Sequence, residues 1–170
     1  YDNAAARNRQ IDAERLRPEE IVAIEQFDPE RTAALKKKCS QLTKPDYSDP
    51  GSSRVFNCGV AAGNFSVSYE GFFRLCSSLC HPDYLFDLKQ RTLKDAFENL
   101  ISKVKNMHSS RKEFLAKCRN CPIINLCMWC PAYSYLETGQ LDTPVDYFCG
   151  LAHARAEALG YKYRVVGKAS

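Results

Sequence analysis

The sequence has no run of apolar residues approaching the roughly 18 that a membrane span requires, which argues against a membrane protein. Its basic residues are scattered apart from Lys36, Lys37 and Lys38, and Lys+Arg 24 against Asp+Glu 20 leaves a charge of only +4. No nucleic-acid footprint follows from that balance. The start, Tyr1-Asp2-Asn3-Ala4-Ala5-Ala6-Arg7, lacks the basic-then-apolar layout of a secretory leader, so a reducing, cytoplasmic compartment is expected. The absence of an initial Met leads us to expect a piece of a longer chain. There is no internal repeat, no low-complexity tract, no Ser/His/Asp arrangement and no paired-carboxylate site that the sequence alone supports. His81, His108 and His153 stand isolated from one another. What the 170 residues do contain is nine cysteines.

Nine cysteines are too few for a disulfide-built mini-domain of this length, and an odd number leaves one unpaired in any all-disulfide scheme. In a reducing compartment clustered cysteines hold metal more often than they pair. Four of them crowd into Cys118-Arg119-Asn120-Cys121-Pro122-Ile123-Ile124-Asn125-Leu126-Cys127-Met128-Trp129-Cys130-Pro131. Two Cys-x-x-Cys-Pro units that close make a dense thiolate cluster, which reads as a metal site or a pair of them.

Around that cluster the pattern predicts an α+β domain with a β-hairpin and several helices. A short helix is expected from Pro18, carrying Ile21, Val22 and Ile24, and a second from Pro29 to about Leu42 with Asp28 as its cap. Residues 43–53, with two Pro and one Gly among small polar side chains, read as a linker. Phe65, Val67 and Tyr69 alternate with Ser66, Ser68 and Glu70, Gly71 turns the chain, and Phe72–Cys76 return it. That hairpin is positioned to bring Cys58 and Cys76 together. Thr92 and Asp95 cap a helix whose stripe is Leu93, Ala96, Phe97, Leu100, Ile101, Val104 and Met107. A last helix is expected from Thr143-Pro144-Val145-Asp146 to just before Gly160, with Cys149 near its start. Tyr133 and Tyr135 are expected in the core, and Trp129 is expected to shield a metal site from water.

Structural zinc takes four tetrahedral N/S ligands, which Cys118, Cys121, Cys127 and Cys130 can supply, although Cys58, Cys76 and Cys149 are then unexplained. Iron–sulfur clusters also take four thiolates, often tightly spaced with one from a distant part of the chain. On local spacing both metals stay open. The full order is Cys58, twelve residues, Gly71, four residues, Cys76, a gap of 41, Cys118-x2-Cys121-x5-Cys127-x2-Cys130, a gap of 18, and Cys149.

This order resembles the seven-cysteine signature of the SPASM domain, the C-terminal extension of radical SAM enzymes that modify peptides and proteins. The resemblance spans roughly residues 55–155. It implies two auxiliary iron–sulfur clusters of the four-iron type, the first on Cys58, Cys76 and Cys130 and the second on Cys118, Cys121, Cys127 and Cys149. It implies residues 1–50 as the helical bridge leaving a radical SAM barrel, and 51–170 as the auxiliary-cluster domain. The implied partners are a radical SAM catalytic domain, on the same chain or a separate one, and a peptide or protein substrate. S-adenosylmethionine belongs to that catalytic domain. Its Cys-x3-Cys-x2-Cys motif is absent here: Cys76-Ser77-Ser78-Leu79-Cys80-His81-Pro82 continues with Asp83 at the third position. The chain is also too short for a barrel of on the order of 200 residues, so no radical catalysis is expected from it alone.

Two departures from the family pattern stand out. Cys127 and Cys130 are separated by two residues where the family has three, a shift of about 100° on a helix. No cysteine shortly precedes Cys58, so either Cys39 or Cys80 completes the first cluster or one iron stays open. The competing readings are a stand-alone structural zinc or redox-sensing module that binds a protein partner, and a small ferredoxin-like carrier, against which the charged helical arm argues.

Overall fold

The computed structural model describes residues 5–42, 53–56, 58–60, 64–127 and 129–163, excluding the side chains of 5–8, 38–42 and 125. The expected linker at 43–53 lies outside the described residues except for Ser53. In chain order the elements are α1 (Ala5–Glu14), α2 (Pro18–Gln26), α3 (Pro29–Leu42), β1 (Ser66–Val67), β2 (Phe72–Arg74), β3 (Phe86–Asp87), α4 (Leu93–Lys105), α5 (Ile124–Cys127), α6 (Pro131–Thr138) and α7 (Asp146–Ala158). A 3-10 turn, Pro82–Tyr84, leads into β3, and a π-helical turn, Phe114–Cys118, precedes α5. Helices together with one small three-stranded antiparallel sheet make the α+β class that the sequence predicts. No helix among the described residues is long and apolar enough to cross a membrane.

The hairpin forms where expected. β1 pairs β2 with Val67 opposite Phe73, and Gly71 sits at φ +88°, a conformation that costs other residues a Cβ clash. β3 adds a third antiparallel strand, Phe86 opposite Phe73, that the sequence reading does not anticipate. Only two residues of β3 pair, too few for an alternating pattern to show. Val67 and Phe73 share a face, but Phe73 in the central strand is 0% exposed and Val67 on the edge strand is 48% exposed.

α4 opens on the predicted capping box: the Asp95 amide donates to Thr92 Oγ1 at 3.2 Å, and the Thr92 amide donates back to Asp95 Oδ2 at 3.2 Å. Its stripe buries Ala96, Leu100 and Val104 against Phe73, Leu75 and Leu79. A second, smaller core joins α5 to α7 through Ile123, Leu126, Ala152 and Ala156. Asp28 caps α3 by accepting from the Arg31 amide at 3.0 Å.

Three details differ from the sequence reading. α1 is present although its polar sequence carries no apolar stripe to announce it. Just beyond α1, Arg15 Nη2 donates to Glu137 Oε1 at 2.6 Å and its guanidinium lies 4.5 Å from the centre of the Tyr147 ring. α7 begins at Asp146, behind Val145, rather than at the Thr143 cap. The Thr143 carbonyl is instead taken by Trp129 Nε1 at 2.9 Å and Ser134 Oγ at 2.8 Å. Tyr133 is 38% exposed and packs beside Phe148 rather than in the core, whereas Tyr135 packs on the larger core.

α2 is fixed to the second core by a buried ion pair. Arg155 of α7 donates through Nη2 and Nε to Glu25 at 2.7 and 3.0 Å, and through Nη1 to the Leu126 carbonyl at 2.9 Å. One guanidinium thereby ties α2, α5 and α7 together directly behind the cysteine-rich segment.

Candidate metal centre

Cys118 ends the π-helical turn, in which the Arg119 amide donates to the Phe114 carbonyl at 3.0 Å, five residues back. Such turns widen a helix locally and recur at functional sites. Cys121 follows in the next turn, Cys127 is the last residue of α5, and Cys149 lies in the first turn of α7. Although Cys149 comes from 22 residues beyond Cys127, the packing of α5 on α7 brings all four to one place. They line a single cavity of about 300 Å³, together with Trp129, Asp146, His153 and Tyr163.

The electrostatics report the same proximity. Burial pushes the Cys118 thiol up to about 12, and the neighbouring Cys127, Cys121 and Cys149 add to the rise. Burial likewise pushes Cys127 up to about 12, partly offset by the Trp129 amide and reinforced by Cys149 and Cys121. Cys121 and Cys149 are raised as well, burial being the main cause in each. Thiols held this high stay protonated near neutral pH. They become thiolates only when something positively charged enters among them.

The other three cysteines gather elsewhere. Cys130 is the N-cap of α6, in extended conformation at φ −144° and ψ 158°, and its Sγ accepts from the Tyr133 amide at 3.4 Å. Burial raises its thiol, the Tyr133 and Ala132 amides oppose that, and Cys58 and Cys76 raise it further. Cys58 and Cys76 therefore each lie near Cys130. Cys76 and Cys130 pack on the larger core, and Cys121 and Cys127 on the smaller. The extended backbone at Cys130 separates α5 from α6, so the two-residue spacing is not carried through as a rotation along one continuous helix.

Cys80 is engaged differently: Arg74 Nη1 donates to its Sγ at 3.1 Å and to the Ser77 carbonyl at 3.3 Å. The side chain of Cys39 lies outside the described residues. His81 accepts from the Asp83 amide at 3.2 Å and sits 4.6 Å from the Tyr135 ring, which accounts for it without a ligand role. His108 accepts or donates at 2.9 Å with Ser53 Oγ. Sequence reasoning missed the placement of His153 and Tyr163 on the cavity. His153 lies four residues after Cys149 on α7, a spacing that puts both on one helix face, and that signal was available. Tyr163 follows the turn that ends α7 and carries no such signal.

All described cysteines are free thiols. Among the described residues no three His, Cys, Asp or Glu side chains stand close enough to hold a single metal ion. Four thiolates around one zinc, each bonded at about 2.3 Å, sit only about 4 Å from one another. The four-cysteine cavity instead has many times the space that one ion or one water fills. An all-thiolate set is one that either structural zinc or an iron–sulfur cluster can take. Trp129 bridges the two regions: it packs on the larger core, lies 5.1 Å from Phe114, and still lines the cavity of the other set. Compared with protein-family models, with curated proteins and with solved structures, the chain matches none of them.

Proposed function

We propose that this chain is the auxiliary iron–sulfur domain of a radical SAM enzyme that modifies a peptide or protein. The observation that carries the reading is the division of seven cysteines between two places, four around one cavity and Cys130 with Cys58 and Cys76 near it. In the proposal Cys118, Cys121, Cys127 and Cys149 hold one cluster, and Cys58, Cys76 and Cys130 hold a second whose remaining position is open. When bound, the clusters supply one-electron transfer to or from a catalytic domain that carries S-adenosylmethionine.

The chain's own part is to position those groups and control their surroundings. The cores on either side keep the hairpin, α5 and α7 in register, so ligands from distant segments meet. Trp129 and the end of the π-helical turn, Lys117 and Cys118, line the four-thiol cavity, and the surroundings they give a bound cluster are a lever on its potential. The α6 N-terminus directs the Tyr133 amide at Cys130 Sγ and partly offsets the burial that raises its thiol.

Anaerobic reconstitution with iron and sulfide tests the reading. Iron and acid-labile sulfide in amounts matching two clusters per chain, with broad visible absorption, support it. Zinc binding without iron or sulfide would replace it with the structural zinc or redox-sensing module.

A further inference from the structure

α7 ends in a left-handed turn at Gly160, φ +70°, with the Gly160 amide donating to the Glu157 carbonyl at 2.9 Å and the Tyr161 amide to Ala156 at 2.8 Å. This turn reverses the chain, and residues 161–163 run back along the helix toward its own first turns. Tyr161 and Tyr163 stack with ring centres 6.4 Å apart and pack on the smaller core beside Cys121 and Cys127. The Tyr163 hydroxyl is hydrogen-bonded to His153 Nδ1, and both side chains line the four-thiol cavity.

We infer that Tyr163, latched by His153, is a cap over the Cys121 and Cys127 side of the four-cysteine cavity and controls access to those two thiols from solvent, while Cys149 stays exposed. Two independent features converge on this placement. The left-handed glycine sets the direction of the returning segment, and His153, on the same helix face as Cys149, fixes where the tyrosine ring stops. The cap requires no partner and no metal to form. The inference rests on the metal-site reading for its purpose, which is to limit the approach of water, chelators and oxidants to the group the thiols hold.

The test compares the full-length wild type with Tyr163→Phe, Tyr163→Ala and His153→Leu. In metal-free protein, maleimide labelling of Cys121 and Cys127 is followed residue by residue, with Cys58 and Cys80 as references in the same molecule. Loss of the single hydrogen bond in Tyr163→Phe or His153→Leu is expected to speed labelling of Cys121 and Cys127 roughly fivefold. Loss of the ring in Tyr163→Ala is expected to speed it roughly fiftyfold. Labelling of Cys58 and Cys80 should stay unchanged. After reconstitution, the chelator-driven loss of visible absorption should quicken in the same order. Unchanged rates at Cys121 and Cys127 would overturn the cap, and so would equal acceleration at all cysteines, which marks general loosening. A wild type that takes up no iron refutes the metal reading instead, and the labelling alone then decides the cap.

Discussion

Cys127 closes one helix and Cys130 opens the next, three positions on, yet each is coupled to a different group of thiols: Cys127 to Cys149 and Cys121, Cys130 to Cys58 and Cys76. The cause is a change of backbone rather than of distance along the chain. The extended conformation at Cys130 interrupts helical propagation before α6 starts.

Serine substitution at these two positions should therefore have separable effects. Cys127→Ser is expected to lose the cluster of the four-thiol cavity and Cys130→Ser the other, each leaving about half of the iron. Iron and sulfide analysis with electron paramagnetic resonance of the reduced protein checks this. Loss of both signals from either variant contradicts two independent sites.

The raised thiols define a pH dependence. Cys118 and Cys127 have an ordinary value of 9.0 and are pushed up to about 12 by burial, so in metal-free protein the folded state favours their neutral form. That contribution to stability is fully present below about pH 9 and is lost as pH rises toward 12. The Tm of metal-free protein is expected to fall across this alkaline window. Metal uptake runs the other way, because each bound thiolate releases a proton. Its apparent affinity should rise with pH by about one decade per unit for each proton released.

Glu25 and Arg155 are both nearly buried, with side chains 11% and 9% exposed. Burial works against the Glu25 carboxylate, but the hydrogen bonds from Arg155 and Arg31 outweigh it and leave its pKa below the ordinary 4.5. Its contribution is thus present above about pH 4.5 and is lost as pH falls through the lowered value. Glu25→Ala strands a buried guanidinium and is expected to cost about 3 kcal/mol by urea unfolding. Lys94→Ala, which removes an exposed pair with Glu98 at 3.9 Å, should change stability by under about 0.5 kcal/mol.

Trp129 is the single tryptophan of the chain, and it lines the four-thiol cavity. Its fluorescence is expected to be quenched as iron and sulfide are incorporated, with the time course of the visible absorption. Zinc, which has no visible absorption, should leave it largely unquenched. Cys118→Ser and Cys130→Ser should each remove only part of the quenching, because Trp129 lines the four-thiol cavity and packs on the same core as Cys130.

The sequence was most legible where chemistry and local structure coincide. Thr92 with Asp95, Gly71 after an alternating run, and Asp28-Pro29 each commit the backbone within a few residues, and each does so as read. Of the seven cysteines singled out through the family resemblance, Cys118, Cys121, Cys127 and Cys149 line one cavity. Less legible were elements fixed by distant partners. α1 has no apolar face of its own, and the contacts beside it come from Arg15 to Glu137 and Tyr147, more than a hundred residues away. β3 exists because Phe73 has a free edge for Phe86. The start of α7 moved from Thr143 to Asp146 because the Thr143 carbonyl is claimed by Trp129 and Ser134, a competition invisible in the local sequence. Tyr163 reaches the cavity only through the turn at Gly160.

The two cysteine groups also differ in how much chain each must gather. Cys118 and Cys149 are 31 positions apart, whereas Cys58 and Cys130 are 72. Closing the longer loop costs about 0.7 kcal/mol more in chain entropy, and the shorter one is braced by direct packing of α5 on α7. The four-thiol group is therefore the less costly of the two for the chain to gather, and the three-thiol group leans more heavily on the larger core that holds Cys76 and Cys130.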